Sequence, residues 1–281
     1  MKDKKKNFLL PSWYVTGITD AEGCFNLTNT HKRYVEYKVT QKVSSIDVLY
    51  YLQKFFGCGP VVIDNRKNNT YKYPVTSQAD LQNYIFPHFK NFPLLTSKQL
   101  NFIDLMNNDR DYMGKNRKFK DKYEFLKNSI ININPYWLLG FIDGEATFNV
   151  QTGWRREKSK YFEVVLSLEI GQSNHDVLVL SAIKSFFGKG FRSPSFNIYD
   201  IQEVLASRSV SRYKLKNPEV VIGYIKNLNV PLLTTKWLDY KDWCKIYNLK
   251  KEKAHLTEEG RSQLLKIKNG MNRNRFMPIV I

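Results

Sequence analysis

The stretch WYVTGITDAEGCFN occupies residues 13–26, and YWLLGFIDGEATFN occupies residues 136–149. At an offset of 123 they share Gly17/Gly140, Asp20/Asp143, Glu22/Glu145, Phe25/Phe148 and Asn26/Asn149. The agreement continues downstream. Val39-Thr-Gln41 meets Ile170-Gly-Gln172, Phe55-Phe56-Gly57 meets Phe186-Phe187-Gly188, and Pro93-Leu-Leu-Thr-Ser-Lys98 meets Pro231-Leu-Leu-Thr-Thr-Lys236. The offset grows from 123 to 131 to 138, as longer loops in the second copy require. Two ordered copies of one subdomain are expected, since solenoid units are shorter and more numerous.

Each motif reads as a helix. Asn134-Pro135 supplies a cap residue followed by proline at the first helical position, and Ser12 serves the first copy less tidily. Alternating strands follow, with Val35, Tyr37 and Val39 opposed to Glu36, Lys38 and Thr40. In the second copy Val164, Leu166, Leu168 and Ile170 alternate with Glu163, Val165, Ser167 and Glu169. Helices are expected at 46–56 and 176–187, strands within 60–77 and 190–215, and further helices near 79–90, 97–107, 217–227 and 235–248. The expected fold is α+β, a pseudo-symmetric tandem of α-β-β-α-β-β-α half-domains. The N-terminal half spans residues 1–108 and the C-terminal half 134–281. Residues 109–133 form a polar linker with some helix near Tyr123–Asn128. Thr257 caps an extra C-terminal helix that has no counterpart in the first half.

The net charge is +18, spread as +6, +3 and +9 over residues 1–108, 109–133 and 134–281. A distributed basic surplus favours a polyanionic partner, nucleic acid before a membrane surface. No apolar run of about 18 residues is present, so no transmembrane helix is expected. Cys24, Cys58 and Cys244 form no CxxC pair, which argues against zinc and disulfides. No phosphate-cradling glycine loop argues for nucleotide chemistry.

Within each motif Gly17 and Ala21, or Gly140 and Gly144, stand four apart and so on one helix face. Glycine inside a helix costs about 1 kcal/mol relative to alanine. Paying that at the same position twice points to close helix–helix approach, most simply of one copy on the other. Pairing about a pseudo-twofold axis would bring Glu22 and Glu145 together at helix C-termini, where the dipole is already negative. A divalent cation resolves that conflict, and Mg²⁺ suits one or two carboxylates plus water and phosphate oxygens. Such a site hydrolyses phosphodiesters. Asp20 and Asp143 lie on another side of the helix and read as structural.

The paired GITDAEG and LGFIDGE segments resemble the LAGLIDADG motif of homing endonucleases, in the single-chain, two-motif form. Asp242-Trp-Cys, Lys253-Ala-His-Leu-Thr-Glu-Glu-Gly260 and Ile267-Lys-Asn-Gly-Met-Asn272 are similar to segments of the I-OnuI group. The resemblance implies two saddle-like antiparallel DNA-binding sheets. It also implies a monomer that cleaves both strands of a long, asymmetric double-stranded DNA target and leaves short 3′ overhangs. On the same basis Glu22 and Glu145, with the backbone of Ala21 and Gly144, hold Mg²⁺ or another divalent cation, and Ca²⁺ can occupy the site without supporting cleavage. Gln41 and Gln172 match water-organising positions, and Lys98 and Lys236 match basic positions near the scissile phosphates. Thr19 and Ala146 depart from the pattern, where a hydrophobic residue and glycine are usual.

Outward strand positions nominate Asn26, Thr28, Lys38, Thr40, Arg66 and Lys72 for DNA contact in the first half. The second half offers Asn149, Gln151, Glu169, Arg192 and Arg208, with Arg155 and Arg156 at a hairpin tip. An RNA-splicing maturase and a non-cleaving DNA-binding protein are the alternatives on the same fold, and neither needs both glutamates. Richness in Lys, Asn, Ile and Tyr fits a mitochondrial or other organellar intron gene.

Overall fold

The computed structural model describes residues 9–28, 34–107, 119–154, 161–188 and 210–275. Two compact units emerge. One comprises Met1–Arg117 with Asn134–Phe141, the other Lys118–Ile133 with Ile142–Ile281.

In the first unit, α1 (Ser12–Glu22) is buried continuously from Tyr14 to Ala21, as a helix enclosed on all sides must be. Its N-cap is Pro11, without a side-chain bond, so Ser12 opens the helix rather than capping it. Strands β1 (Gly23–Thr28), β2 (Tyr34–Lys42), β3 (Val62–Asn65) and β4 (Thr70–Val75) form an antiparallel sheet ordered β1-β2-β4-β3. Between β2 and β3 lies α2 (Asp47–Phe56), which stops at Gly57 with φ 69°, a left-handed conformation that favours glycine. The next helical run, α3 (residues 78–91), widens into a π turn at Leu81–Ile85. Pro87 follows one residue beyond it, after Phe86, and the wider turn accommodates its missing N–H. Helix α4 (Lys98–Asn107) closes the unit. The sheet's inner face carries an aromatic cluster in which Phe25 lies 5.4 Å from Tyr37, 5.3 Å from Phe89 and 5.5 Å from Phe102. Each such fully buried ring is worth about 1.5–3 kcal/mol.

The second unit begins with α5 (Phe119–Lys127), whose Tyr123 and Leu126 are buried. Helix α6 (Pro135–Glu145) follows and lends its first seven residues to the first unit. Asn134 Oδ1 accepts from Tyr136 N at 2.9 Å, the expected cap. Strands β5 (Ala146–Trp154), β6 (Phe162–Ser173) and β7 (Val210–Leu215) form an antiparallel sheet ordered β5-β6-β7 among the described residues. Val164, Leu166, Leu168 and Ile170 are all buried, as their alternation predicts. Helices α7 (Val177–Phe186), α8 (Pro218–Asn227) and α9 (Lys236–Lys251) complete the repeat. The extra helix α10 (Glu258–Asn269) is capped by Thr257, whose Oγ1 accepts from Gly260 N at 3.1 Å. The α+β architecture with two antiparallel sheets therefore holds. No described helix is long and apolar enough to cross a membrane.

Candidate active site and nucleic-acid interface

Both copies build the same module around the motif aspartate. Asp20 is buried and accepts from Leu95 N (2.8 Å), Thr96 N (3.3 Å), Thr96 Oγ1 (2.6 Å) and Trp137 Nε1 (2.7 Å). Asp143 likewise accepts from Leu233 N (2.5 Å), Thr234 N (3.2 Å) and Thr234 Oγ1 (2.6 Å). Each threonine hydroxyl then accepts from the backbone N–H of the lysine two residues on, at 3.2 Å in both copies. The lysine side chain turns back onto the helix end. Lys98 Nζ donates to Thr19 O (3.3 Å) and Ala21 O (3.0 Å), and Lys236 Nζ donates to Asp143 O (3.1 Å) and to Gly144 O. An ammonium on the last carbonyls is the charge the helix dipole favours. The helix ends before Glu22 and Glu145 thus carry a lysine ammonium, and the Ala21 and Gly144 carbonyls accept from it with one of their two lone pairs.

Thr19 is explained by the same packing, because its buried Oγ1 lies 2.9 Å from Tyr37 Oη. A Cβ on Gly23 would come within 2.6 Å of Thr19, so that position requires glycine. Its counterpart Ala146 follows Ile142 instead and is buried opposite Ile170.

Two groups in the first unit titrate in opposite senses. Burial pushes Asp20 up to about 6, against the pull of its hydrogen bonds and of Lys98. Burial also pushes His88, packed among Phe55, Phe56, Phe89 and Phe92, down to about 4. As pH falls from 6.5 toward 4, the unfolded chain protonates a histidine that the folded one keeps neutral, which costs stability. Between 6 and 3.8 the folded chain protonates Asp20 first, which restores it. The contributions of these two groups to stability therefore largely offset each other over that window. Asp20→Asn removes the compensation, so its unfolding free energy should fall as pH drops, by up to about 1.4 kcal/mol per unit. Urea titrations of both proteins at pH 6 and pH 4 check this; parallel behaviour would refute it.

Gln41 shares the inner face of β2 with Tyr37 and Val39, and its Nε2 is buried with no hydrogen-bond partner among the described residues. A buried donor left so requires an acceptor such as water. Among the described residues no three His, Cys, Asp or Glu side chains converge. One hard carboxylate per site, with waters and phosphate oxygens completing the shell, fits Mg²⁺ rather than an all-protein cage. Glu22 is exposed and Glu145 half-buried, each ending its helix.

On the outer face of the first sheet Asn26 pairs with Glu36, and Thr40 with Lys72. Glu36 is almost fully buried, contrary to its outward reading. Asn26 Nδ2 (3.2 Å), Lys38 Nζ (3.5 Å) and Lys72 Nζ (3.7 Å) surround its carboxylate, and that neutralisation permits the burial. Thr40 is half-exposed, Arg66 is exposed in the β3–β4 turn, and Thr28 ends β1 opposite Tyr34. In the second sheet Gln151 is exposed opposite Val165. Arg155, Arg156, Arg192 and Arg208 lie outside the described residues.

The second unit holds an open groove of about 920 Å³. Glu145, Asn149, Glu169 and Gln172 line it together, joined by Arg212 and Lys268. Arg273 also faces it, in the turn Asn272–Asn274. That turn is anchored by buried Asp239, which accepts from Asn272 N (2.9 Å) and Arg275 Nε (2.8 Å). Lys268 Nζ reaches Thr152 Oγ1 (2.7 Å), and Asn272 Nδ2 reaches the edge-strand carbonyl of Phe148 (3.1 Å). Sequence reading missed Arg212, Lys214, Lys268 and Arg273. The alternation of Arg212 and Lys214 with Tyr213 and Leu215 would have found the first two.

Two repeats, each running from a buried acidic helix into an antiparallel sheet, define a two-motif α+β protein. The chain belongs to the LAGLIDADG endonuclease family, whose model matches residues 15–108 and again 138–247. It is 24% identical over 88% of its length to probable intron-encoded endonuclease 3 of Neurospora crassa, covering 52% of that protein. A cox1 intron-2 protein of Schizosaccharomyces pombe is 27% identical over 90% of the chain and 70% of its own length. The chain spans about half the length of probable intron-encoded endonucleases 3 and 4 of Neurospora crassa, 52% and 45%. Among solved structures, the I-SmaMI LAGLIDADG homing endonuclease bound to cleaved DNA superposes with a TM-score of 0.73 at 25% identity, covering 95% of this chain and 98% of that one. The I-LtrWI homing endonuclease bound to target DNA gives a TM-score of 0.75 at 24% identity, over 94% and 98%.

Proposed function

We propose that this chain is a site-specific, intron-encoded DNA endonuclease that makes a Mg²⁺-dependent double-strand break in a long asymmetric target, acting as a monomer and leaving short 3′ overhangs. The second unit's groove carries the reading, since one concavity holds a helix-terminal carboxylate, a glutamine and several cations. The family and the DNA-bound I-SmaMI neighbour support it. The cox1 and ND4 intron relatives support a mitochondrial origin.

In this reading Glu22 and Glu145 each hold a divalent cation with help from phosphate and water. When bound, that ion supplies the charge that activates water and stabilises the leaving oxygen. Gln41 and Gln172 orient the water, and Gln41's Nε2, without a partner among the described residues, is available for it. Lys98 and Lys236 add fixed positive charge beside the phosphates. Asn26, Thr28, Lys38, Thr40, Arg66, Lys72, Asn149, Gln151 and Glu169 contact DNA from the sheets, and Arg212, Lys268 and Arg273 join them. Major-groove entry by a β-ribbon lets such residues distinguish base pairs.

The experiment is incubation of purified protein with plasmids carrying intron-insertion junctions, with Mg²⁺ and then with EDTA. Metal-dependent linearisation at one junction is expected; no cleavage of any junction would overturn the reading. Lys98→Met or Lys236→Met should slow single-turnover cleavage about a hundredfold, the usual cost of losing one preorganised charge donor. Helix-end contacts contribute only about 0.3–1 kcal/mol, so the melting temperature should barely move. A large melting shift with unchanged cleavage would instead make these lysines structural.

A further inference from the structure

Glu169 stands on β6 opposite Thr147 and Lys214, inside the second unit's groove. Its three protein partners all reach one oxygen. Oε1 accepts from Asn149 Nδ2 (2.6 Å) and Ser167 Oγ (3.0 Å) and pairs with Lys214 Nζ (3.0 Å). Oε2 receives no donor among the described residues. Glu36 in the first sheet is the contrast, because lysine or asparagine engages both of its oxygens and its side chain is 4% exposed. Glu36 neutralises its neighbours, whereas Glu169, 11% exposed, keeps an oriented acceptor available to the groove.

A carboxylate there opposes phosphate, which the groove otherwise attracts through Arg212, Lys268 and Arg273. Burial raises its pKa, but the bonds from Asn149, Lys214 and Ser167 win and hold it below the usual glutamate range. The group therefore accepts hydrogen bonds and cannot donate them. In the major groove, guanine presents N7 and O6 and thymine presents O4, all acceptors that such a group repels. Adenine offers N6 beside the acceptor N7, while cytosine offers N4–H₂ with no adjacent acceptor of its own.

We propose that Glu169 reads one cytosine of the DNA target, accepting from its N4 amino group through Oε2. This rests on the chain being a DNA-binding endonuclease, and the test separates the two. Duplexes with a randomised tract are selected for binding to the full chain in EDTA, so no cleavage is needed, and then sequenced. The expected wild-type profile contains a cytosine-selective position. Glu169→Gln should lower that selectivity about tenfold and move preference at that position toward adenine, whose N6 and N7 match an amide, with other positions unchanged. Glu169→Asp keeps the charge and should retain the cytosine preference more weakly. A wild-type profile without a cytosine-selective position overturns the proposal, as does one unaltered by both substitutions. Either result leaves the endonuclease reading standing, whereas failure to enrich any duplex would overturn both.

Discussion

Glu22→Gln and Glu145→Gln are each expected to cut the rate of double-strand cleavage by about a thousandfold or more, with DNA affinity preserved. The metal's charge is worth several kcal/mol in the transition state, and each 1.36 kcal/mol is tenfold in rate. Glutamine keeps the shape but is a far poorer partner for a hard cation. Each acid belongs to a separate repeat, and each is proposed to hold a divalent cation. Losing either therefore removes the double-strand break even where the other strand is still nicked. Affinity supplies the control. A carboxylate beside phosphate repels it, so in EDTA the glutamine variants should bind the target as tightly as wild type or more so. Added Mg²⁺ should then strengthen wild-type binding more than variant binding. Supercoiled-plasmid assays that separate nicked from linear product, with gel-shift titrations, read both effects. If a variant loses cleavage and binding together, the glutamate holds the fold rather than the metal.

The parts of this molecule visible in the sequence are those with local or repeated signatures. Paired glycines four residues from a small neighbour marked the motif helices, and period-two alternation marked β2 and β6. Asn134-Pro135 and Thr257 marked helix starts through cap chemistry that needs only adjacent residues. What escaped depends on contacts between distant residues. Nothing near Lys98 or Lys236 reveals that their ammonium groups return to carbonyls 77 and 92 residues earlier. Glu36 sits at an outward strand position, and only the convergence of Asn26, Lys38 and Lys72 makes its burial tolerable. Lys268 reaches the groove from α10, and Arg273 reaches it from a turn that Asp239 fixes from another helix. The short helix α5 buries Tyr123 and Leu126 in a charged segment, a narrow stripe that marked the helix near Tyr123–Asn128 but not its start at Phe119.

Gly17→Ala and Gly140→Ala should each destabilise the first unit by about 3 kcal/mol or more, although alanine is the better helix former. A Cβ on Gly17 would lie 1.9 Å from the carbonyl oxygen of Trp137 and 2.9 Å from Phe141 N. One on Gly140 would lie 2.3 Å from Tyr14 O and 2.8 Å from Ile18 N. The obstructing atoms are backbone, so no rotamer change relieves them, and α1 and this part of α6 would have to separate by more than about 1 Å. Separation loosens Tyr14, Ile18, Trp137 and Phe141, all fully buried, and strains the 2.7 Å bond from Trp137 Nε1 to Asp20. Overpacking of this kind costs about 1–3 kcal/mol, more where a buried hydrogen bond is also lost. The helix-propensity gain of about 1 kcal/mol is too small to offset it. Gly223 in α8 sets the opposite sign, since a Cβ there meets nothing within 4 Å. Gly223→Ala should therefore raise the denaturation midpoint by roughly the propensity difference. Urea unfolding of the three variants beside wild type makes the comparison. Motif-glycine variants as stable as wild type, or as stabilised as Gly223→Ala, would mean the helices do not approach backbone to backbone. The repeated glycine would then need another explanation.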